Sequence, residues 1–388
     1  MKVVVTGIGL VCALGESLEI SWQKLLAGKS GIKLHQPFPE LRPFPLGLIG
    51  QQPTELAKLT QLVVASALED AGLVPPLADC AVVIGSSRSF QASWEVLIRQ
   101  MYQDAKNFSS SPRPPVFASY LENWLDTLPH TNAIATARQI GGSGIVLAPM
   151  AACATGILSI AQAALLIQTG QCQRAIAGAV EAPITPLTLA GFDQMGALAK
   201  TGAYPFDVHR EGLVLGEGAA VFVLESAELA KQRQAKVYGK ILGFGLTNDA
   251  HHTTSPQPQG KSAIAAIKQC LERSYLSPAD INYIHAHGTA TQLNDQMESM
   301  VIQRLFPQGV AVSSTKGSSG HTLGASGALG VAFSLMALKH QILPPCVGLQ
   351  QSEFNLDLVT AARISKISHV LCLSFGFGGQ NAAIALAN

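Results

Sequence analysis

The chain has 388 residues, 48% of them hydrophobic, and a formal net charge of +1 with only 13% charged side chains. That balance leaves no electrostatic footprint for nucleic acid, and no apolar run has the length that spans a bilayer. The seven cysteines stand singly, without a CxxC pair or a Cys/His spacing suited to zinc, which points to reduced thiols in a cytoplasmic compartment.

Size suggests two or three domain-sized units. At the N-terminus, MKVVVTGIGLVCALG is broken by Thr6, Gly7 and Gly9, so it reads as a buried strand over Val3–Ile8 and not as a signal peptide. Further strands are predicted at Cys80–Ile84, Ile145–Leu147, Ala175–Ala179, Ala219–Leu224 and Val237–Phe244, then at Tyr283–His285, Val310–Ser313, Val370–Ser374 and Ala382–Leu386. Helices are predicted at Glu55–Ala71, Ile157–Gln168, Ser262–Arg273, Gln296–Leu305 and Ala325–His340. This alternation means α/β layers, and helices apolar all round belong between sheets. Arg88–Pro115, with its SSSPRPP run, and Thr247–Gly260 read as loops. Two halves follow, residues 1–235, ending in the charged ESAELAKQRQAK, and residues 236–388, opening with the strand VYGKILGFG. Their elements come in similar order, but no sequence repeat is evident.

Cys153 sits where the apolar run VLAP gives way to a tight turn over Ala154, Thr155 and Gly156 and then to an apolar helix. A helix N-terminus favours a thiolate, so the spacing predicts an activated nucleophile. Alone, a cysteine is more often a small buried hydrophobe. Three downstream segments change that balance. His287, followed by Gly288, Thr289 and Thr291, ends a short strand. His321 opens a helix after the small-residue loop SSTKGSSG. The turn LSFGFGGQN links two apolar strands and leaves backbone N–H groups free for a ligand. A single histidine in such a place is usually structural, and His285 is read that way. GFGGQN leads into a strand, so it is no dinucleotide fingerprint, and neither SSGH nor GASG supplies a GxSxG elbow.

Taken together, MAACATG, PFDVHREGLVLGEGAA, HAHGTATQLND, SSTKGSSGHTLGASGA and SFGFGGQN resemble the signature blocks of β-ketoacyl-acyl carrier protein synthases of the elongating Cys-His-His class. Order and spacing match from Val4 to Ile384. The resemblance implies a thiolase-like five-layer αβαβα sandwich of two related halves, a homodimer, and acyl carrier protein as partner. It implies decarboxylative condensation of an acyl thioester with malonyl-carrier protein, without metal or redox cofactor. Cys153 would take the acyl group, with the backbone N–H groups of Cys153 and Phe377 as oxyanion hole. His287 and His321 would hold the malonyl thioester oxygen. Thr289 and Thr291 match threonines that bind the phosphopantetheine arm, and Phe377 matches an aromatic gate. Asp249, His252 and Thr254 match a second mobile element, and Lys316 a lysine beside the histidines. Many members carry a glutamate nine residues after the second histidine, where this chain has Gly330; Asp295 or Glu298 is expected to compensate as the partner of Lys316. Gln36–Lys58 and Gly196–Tyr204 look shortened, leaving Arg210, Lys200 and Lys58 as candidates for carrier docking.

Rival readings are a non-catalytic chain-length-factor-like subunit, a thiolase, and a synthase of a polyketide or specialised lipid pathway. The presence of Cys153, His287 and His321 weighs against the first. Cys372, which precedes the glycine-rich turn instead of following it, weighs against the second.

Overall fold

In the computed structural model, residues 1–107 and 124–388 are described. Eleven strands form one mixed sheet surface with a repeated plan. In the N-terminal half the spatial order is 146–147, 81–85, 174–181, 218–226, 3–12. Numbered along the chain, that is 3-2-4-5-1, with two parallel pairings followed by two antiparallel ones. The C-terminal half repeats it: 311–313, 283–285, 369–376, 380–387, 239–248 is again 3-2-4-5-1 with the same pairing senses. A two-residue strand at 357–358 extends its outer edge, and Val3–Val5 pairs with Gly239–Ile241 to join the halves.

Side-chain alternation along the strands makes the layers. In Gly218–Ser226, Ala220, Phe222 and Leu224 face a central core, while Ala219, Val221 and Val223 face an outer core with the helices Leu56–Asp70 and Thr131–Ile140. In Gln380–Ala387, Ala382, Ile384 and Leu386 join the same central core, and Ala383 and Ala385 face a second outer core with Lys261–Arg273 and Gln292–Leu305. The helices Thr155–Gln168 and Ser326–His340 fill the centre, the latter buried from Ser326 to Leu338. The result is the expected thiolase-like αβαβα sandwich. No helix among the described residues is long and apolar enough to cross a membrane.

Most sequence-predicted elements stand within a few residues of their expected bounds. The region 88–115 does not: Gln91–Asn107 is a helix. Trp94, Leu97 and Met101 turn inward while Val96, Ile98 and Tyr102 are exposed, so apolar residues on two faces left no single stripe to read. The SSSPRPP run lies outside the described residues.

The structure also exposes a repeat that the sequence pattern concealed. The first strand of each half carries a Gly-x-Gly, Gly7/Gly9 and Gly243/Gly245, pressed against an outer helix. A Cβ on Gly9 would lie 2.1 Å from the Val63 carbonyl oxygen, and one on Gly245 1.8 Å from that of Ala266. Gly245→Ala is therefore expected to destabilise the fold by about 1–3 kcal/mol, the usual cost of overpacking, read as a lower midpoint of denaturant unfolding.

Candidate active site

The strand 146–147 delivers the chain to a turn in which Ala152 adopts φ 46°, a conformation costly for a residue with a Cβ. Thr155 clamps this turn, its Oγ1 accepting from Ala151 N at 2.8 Å and donating to the Ala152 carbonyl at 2.7 Å. Ser374 Oγ donates to the Cys153 carbonyl at 2.8 Å, locking the nucleophile turn to the glycine-rich strand. Gly376 suits this close approach, since a Cβ would come within 3.0 Å of Ala151 O and Cys153 N.

These contacts set Cys153 against the two histidines. Cys153 Sγ and ring nitrogens of His287 and His321 all lie within 4.8 Å of one another, and all three residues are buried. The imidazoles meet edge to face, 5.4 Å apart, and Phe375 packs on His287 at 5.9 Å. Each ring is held from behind. His321 Nδ1 is 2.8 Å from the Ser326 hydroxyl, which also contacts Thr322 Oγ1 at 3.2 Å. Lys316 Nζ lies 3.4 Å from His287 Nδ1 and donates to the His287 carbonyl. With an ammonium facing Nδ1, that nitrogen is the acceptor, and Nε2 carries the proton toward the cavity. His321 is not so constrained, because a hydroxyl either donates or accepts.

Burial depresses the pKa of both histidines well below the ordinary value, and the Lys316 charge lowers them further. They are neutral at physiological pH. Burial has the opposite effect on the thiol: Cys153 is pushed up to about 11, partly offset by Lys316 and by the Phe377 N–H. The expected resting thiolate is thus corrected, because burial, only partly offset, holds the thiol protonated.

Lys316 departs from expectation as well. It is 4% exposed, and no carboxylate among the described residues comes within ion-pair range of it. Glu298 accepts instead from the N–H groups of His287 and Gly288, at 2.6 and 2.7 Å, and Asp295 from Phe206 N at 2.8 Å. Both carboxylates shape the backbone around His287. The space beside Gly330 is filled by His285, a residue read as merely structural: a Cβ on Gly330 would lie 2.8 Å from the His285 ring and from Cys372 Sγ. His285 Nε2 reaches Thr315 Oγ1 at 3.2 Å, next to Lys316 in sequence. Burial and the Lys316 charge lower its pKa to about 3, so it too is neutral.

A cavity of about 320 Å³ opens over the cluster, with Cys153, His287, His321 and Phe377 at its base. Thr254, Thr289 and Thr291 line the wall above, the latter two joined through their hydroxyls at 2.8 Å. The glycine-rich turn is tied to the loop carrying Asp249, His252 and Thr254: Gly378 N donates to Thr253 O at 2.7 Å, and Asn381 Nδ2 to Asp249 Oδ1 at 2.8 Å. His252 Nδ1 accepts from Thr254 N at 3.1 Å. Phe192, unremarked in the sequence, stacks on Phe377 at 5.9 Å. Of the docking candidates, Lys200 donates its N–H to Glu211 on the cavity wall, and the Arg210 carbonyl accepts from Gln292 of the same cavity. Arg210 is buried and paired with Glu353, and Lys58 pairs with Glu55 on the outer helix. Cys153, His287 and His321 have the donor types for a soft metal ion, but the adjacent Lys316 charge and a protonated His287 Nε2 oppose a cation there.

The chain matches the model of the beta-ketoacyl synthase N-terminal domain over residues 51–230 and of the C-terminal domain over residues 238–350. It is 32% identical to 3-oxoacyl-[acyl-carrier-protein] synthase 2 of Coxiella burnetii, across 100% of this chain and 98% of that one. A type II polyketide ketosynthase solved with its acyl carrier protein and a hexaketide superposes with a TM-score of 0.92 at 27% identity, covering 100% of this chain and 99% of the other. A beta-ketoacyl synthase from Burkholderia phymatum gives 0.86 at 28% identity, covering 100% and 99%. This chain belongs to the β-ketoacyl synthase family. It is a condensing enzyme of the acyltransferase type.

Two outcomes follow from this geometry. Alkylation of Cys153 by iodoacetamide is expected to rise about tenfold per pH unit from roughly pH 7 to pH 10, without a plateau near the ordinary thiol value of about 8.5. Intact-mass kinetics on wild type against Cys153→Ala would read it. Gly330→Glu is expected to lower thermal stability and to slow malonyl-carrier decarboxylation, because the new side chain displaces His285; unchanged stability and rate would show that His285 yields freely.

Proposed function

We propose that this chain is a β-ketoacyl-acyl carrier protein synthase that elongates fatty acyl chains, with Cys153, His287 and His321 as its catalytic residues. The observation that carries this reading is the convergence of one thiol and two neutral imidazoles, supplied by both halves, at the base of a single cavity. We take the halves as residues 1–235 and 236–388.

Acyl transfer comes first. The Cys153 sulfur attacks the acyl thioester carbonyl, and the oxygen charge is received by the N–H groups of Cys153 and Phe377. The thiol proton passes to the departing pantetheine sulfur as its bond to the acyl carbon breaks. Malonyl-carrier protein then enters, its arm held by Thr289 and Thr291, with Thr254 lining the same cavity. Its thioester oxygen meets Nε2–H of His287 and of His321, with the Ser326 hydroxyl donating to His321 Nδ1. Loss of carbon dioxide leaves an enolate at that oxygen, where two preorganised donors are strongest in the transition state. The enolate carbon attacks the acyl-cysteine, forming the carbon–carbon bond of a β-ketoacyl thioester and releasing Cys153. Lys316 acts through His287, holding its tautomer and keeping it uncharged.

The carrier protein is the proposed partner, with Lys200 facing its acidic surface. A homodimer is supported by the edge strand at 146–147. Val146, Leu147 and Met150 are exposed by 38, 36 and 54%, an apolar unpaired edge only a few residues from the nucleophile. The seven free cysteines support a cytoplasmic location.

Cys153→Ala is expected to abolish the acyl mass gain seen when the purified protein meets acyl-carrier protein. His287→Ala should retain that gain while losing about 10²–10³-fold in decarboxylation, the usual loss for one oxyanion donor. Loss of acylation in His287→Ala, with decarboxylation intact, would contradict the division of labour. Met150→Asp is expected to yield a monomer by light scattering; a monomeric wild type would remove the dimer.

A further inference from the structure

Phe192 and Phe377 stack on the cavity wall and share an apolar cluster with Cys153, Leu189, Leu213 and Leu215. One cation stands against it. Arg88, three residues past the strand Ala81–Gly85 and half-buried, places its guanidinium 5.6 Å from the centre of the Phe192 ring. Arg88 makes no ion pair and no side-chain hydrogen bond with any other described residue.

The nearest candidate carboxylate does not neutralise it. Glu181 is fully buried at the end of the strand Arg174–Glu181 and is occupied by Ser87 N through Oε1, while Oε2 has no partner among the described residues. Burial raises its pKa to about 7, so near neutrality about half of it is a neutral acid, and it makes no ion pair with Arg88. A guanidinium carries five donors and does not lose its charge. Leaving it unpaired against hydrocarbon costs free energy, and packing a methyl-ended chain along Phe192 would desolvate it further. An oxygen acceptor on the substrate would remove that cost.

Resting on the reading of Cys153 as the acyl-accepting thiol, we propose that Arg88 selects acyl chains whose far end bears a hydrogen-bond-accepting oxygen, keto or carboxylate, over plain methyl-ended chains. The cation–π contact with Phe192 holds the guanidinium at the wall, and the substrate oxygen takes its free donors.

The test is competition on the full-length protein. Octanoyl, keto-octanoyl and carboxyl-ended octanedioyl groups are loaded on the same carrier protein, mixed in equal amounts, and the adducts on Cys153 are resolved by intact mass. Wild type is expected to favour the oxygenated chains at least ~10-fold, and Arg88→Met to lose or reverse that ratio while Arg88→Lys keeps part of it. Preference for the carboxyl-ended chain alone would assign the selection to charge, and preference for both to hydrogen bonding. Equal use of all three by wild type, or octanoyl favoured, overturns the proposal without any variant and leaves the acylation reading standing. Absence of every adduct would instead bring down the acylation reading, and this one with it.

Discussion

The buried charge of Lys316 organises the centre of this molecule. An ammonium removed from water and lacking a carboxylate partner is costly, and here it is held by the His287 carbonyl and faced by His287 Nδ1. Burial lowers its own pKa, while the fields of Glu298 and Asp295 hold it up. Its field falls on each neighbour with a different result. Adding to burial, the larger cause, it keeps three histidines from taking up protons, and it eases ionisation of a thiol that burial otherwise holds protonated. One charge therefore prepares two donors for an enolate and one nucleophile for an acyl group.

That arrangement needs both halves. Cys153 comes from the N-terminal half and the histidines and Lys316 from the other, so the chemistry exists only where the central helices bring the two sheets together. Close backbone contacts secure the junction. Gly376 lies against Ala151 and Cys153, and a Cβ on Gly156 would come within 2.5 Å of Ala328 N, at the crossing of the two central helices. The rigidity of the layers is what makes a 4.8 Å constellation out of residues up to 168 positions apart.

Much of this was legible in the residues themselves. Strand and helix periods placed the layers, and Cys153, His287 and His321 stood out because each lies in a contiguous block with small residues around it. Other parts depend on register, which the pattern does not carry. His285 lies between Ser313 and Cys372 because three strands pair in that alignment, and only then does it fill the space at Gly330. The expected carboxylate partner of Lys316 failed for the same reason: Asp295 and Glu298 are near in sequence to His287 but are consumed by backbone N–H groups. The thiolate at Cys153 failed because a helix N-terminus is visible in a sequence and desolvation is not. Arg88 lies in a loop, as its sequence context reads, but its contact with Phe192, more than a hundred residues away, is invisible in the sequence.

The central claim is that Lys316 fixes His287 as a neutral imidazole with its proton on Nε2. Nitrogen-15 NMR of the imidazole nitrogens, recorded from about pH 5 to pH 8 and assigned with His287→Asn, measures this directly. The account predicts a protonated Nε2 and an unprotonated, hydrogen-bonded Nδ1 throughout, with the distinction weakened in Lys316→Met. An imidazolium signal for His287 near neutrality, or a proton on Nδ1, would contradict it.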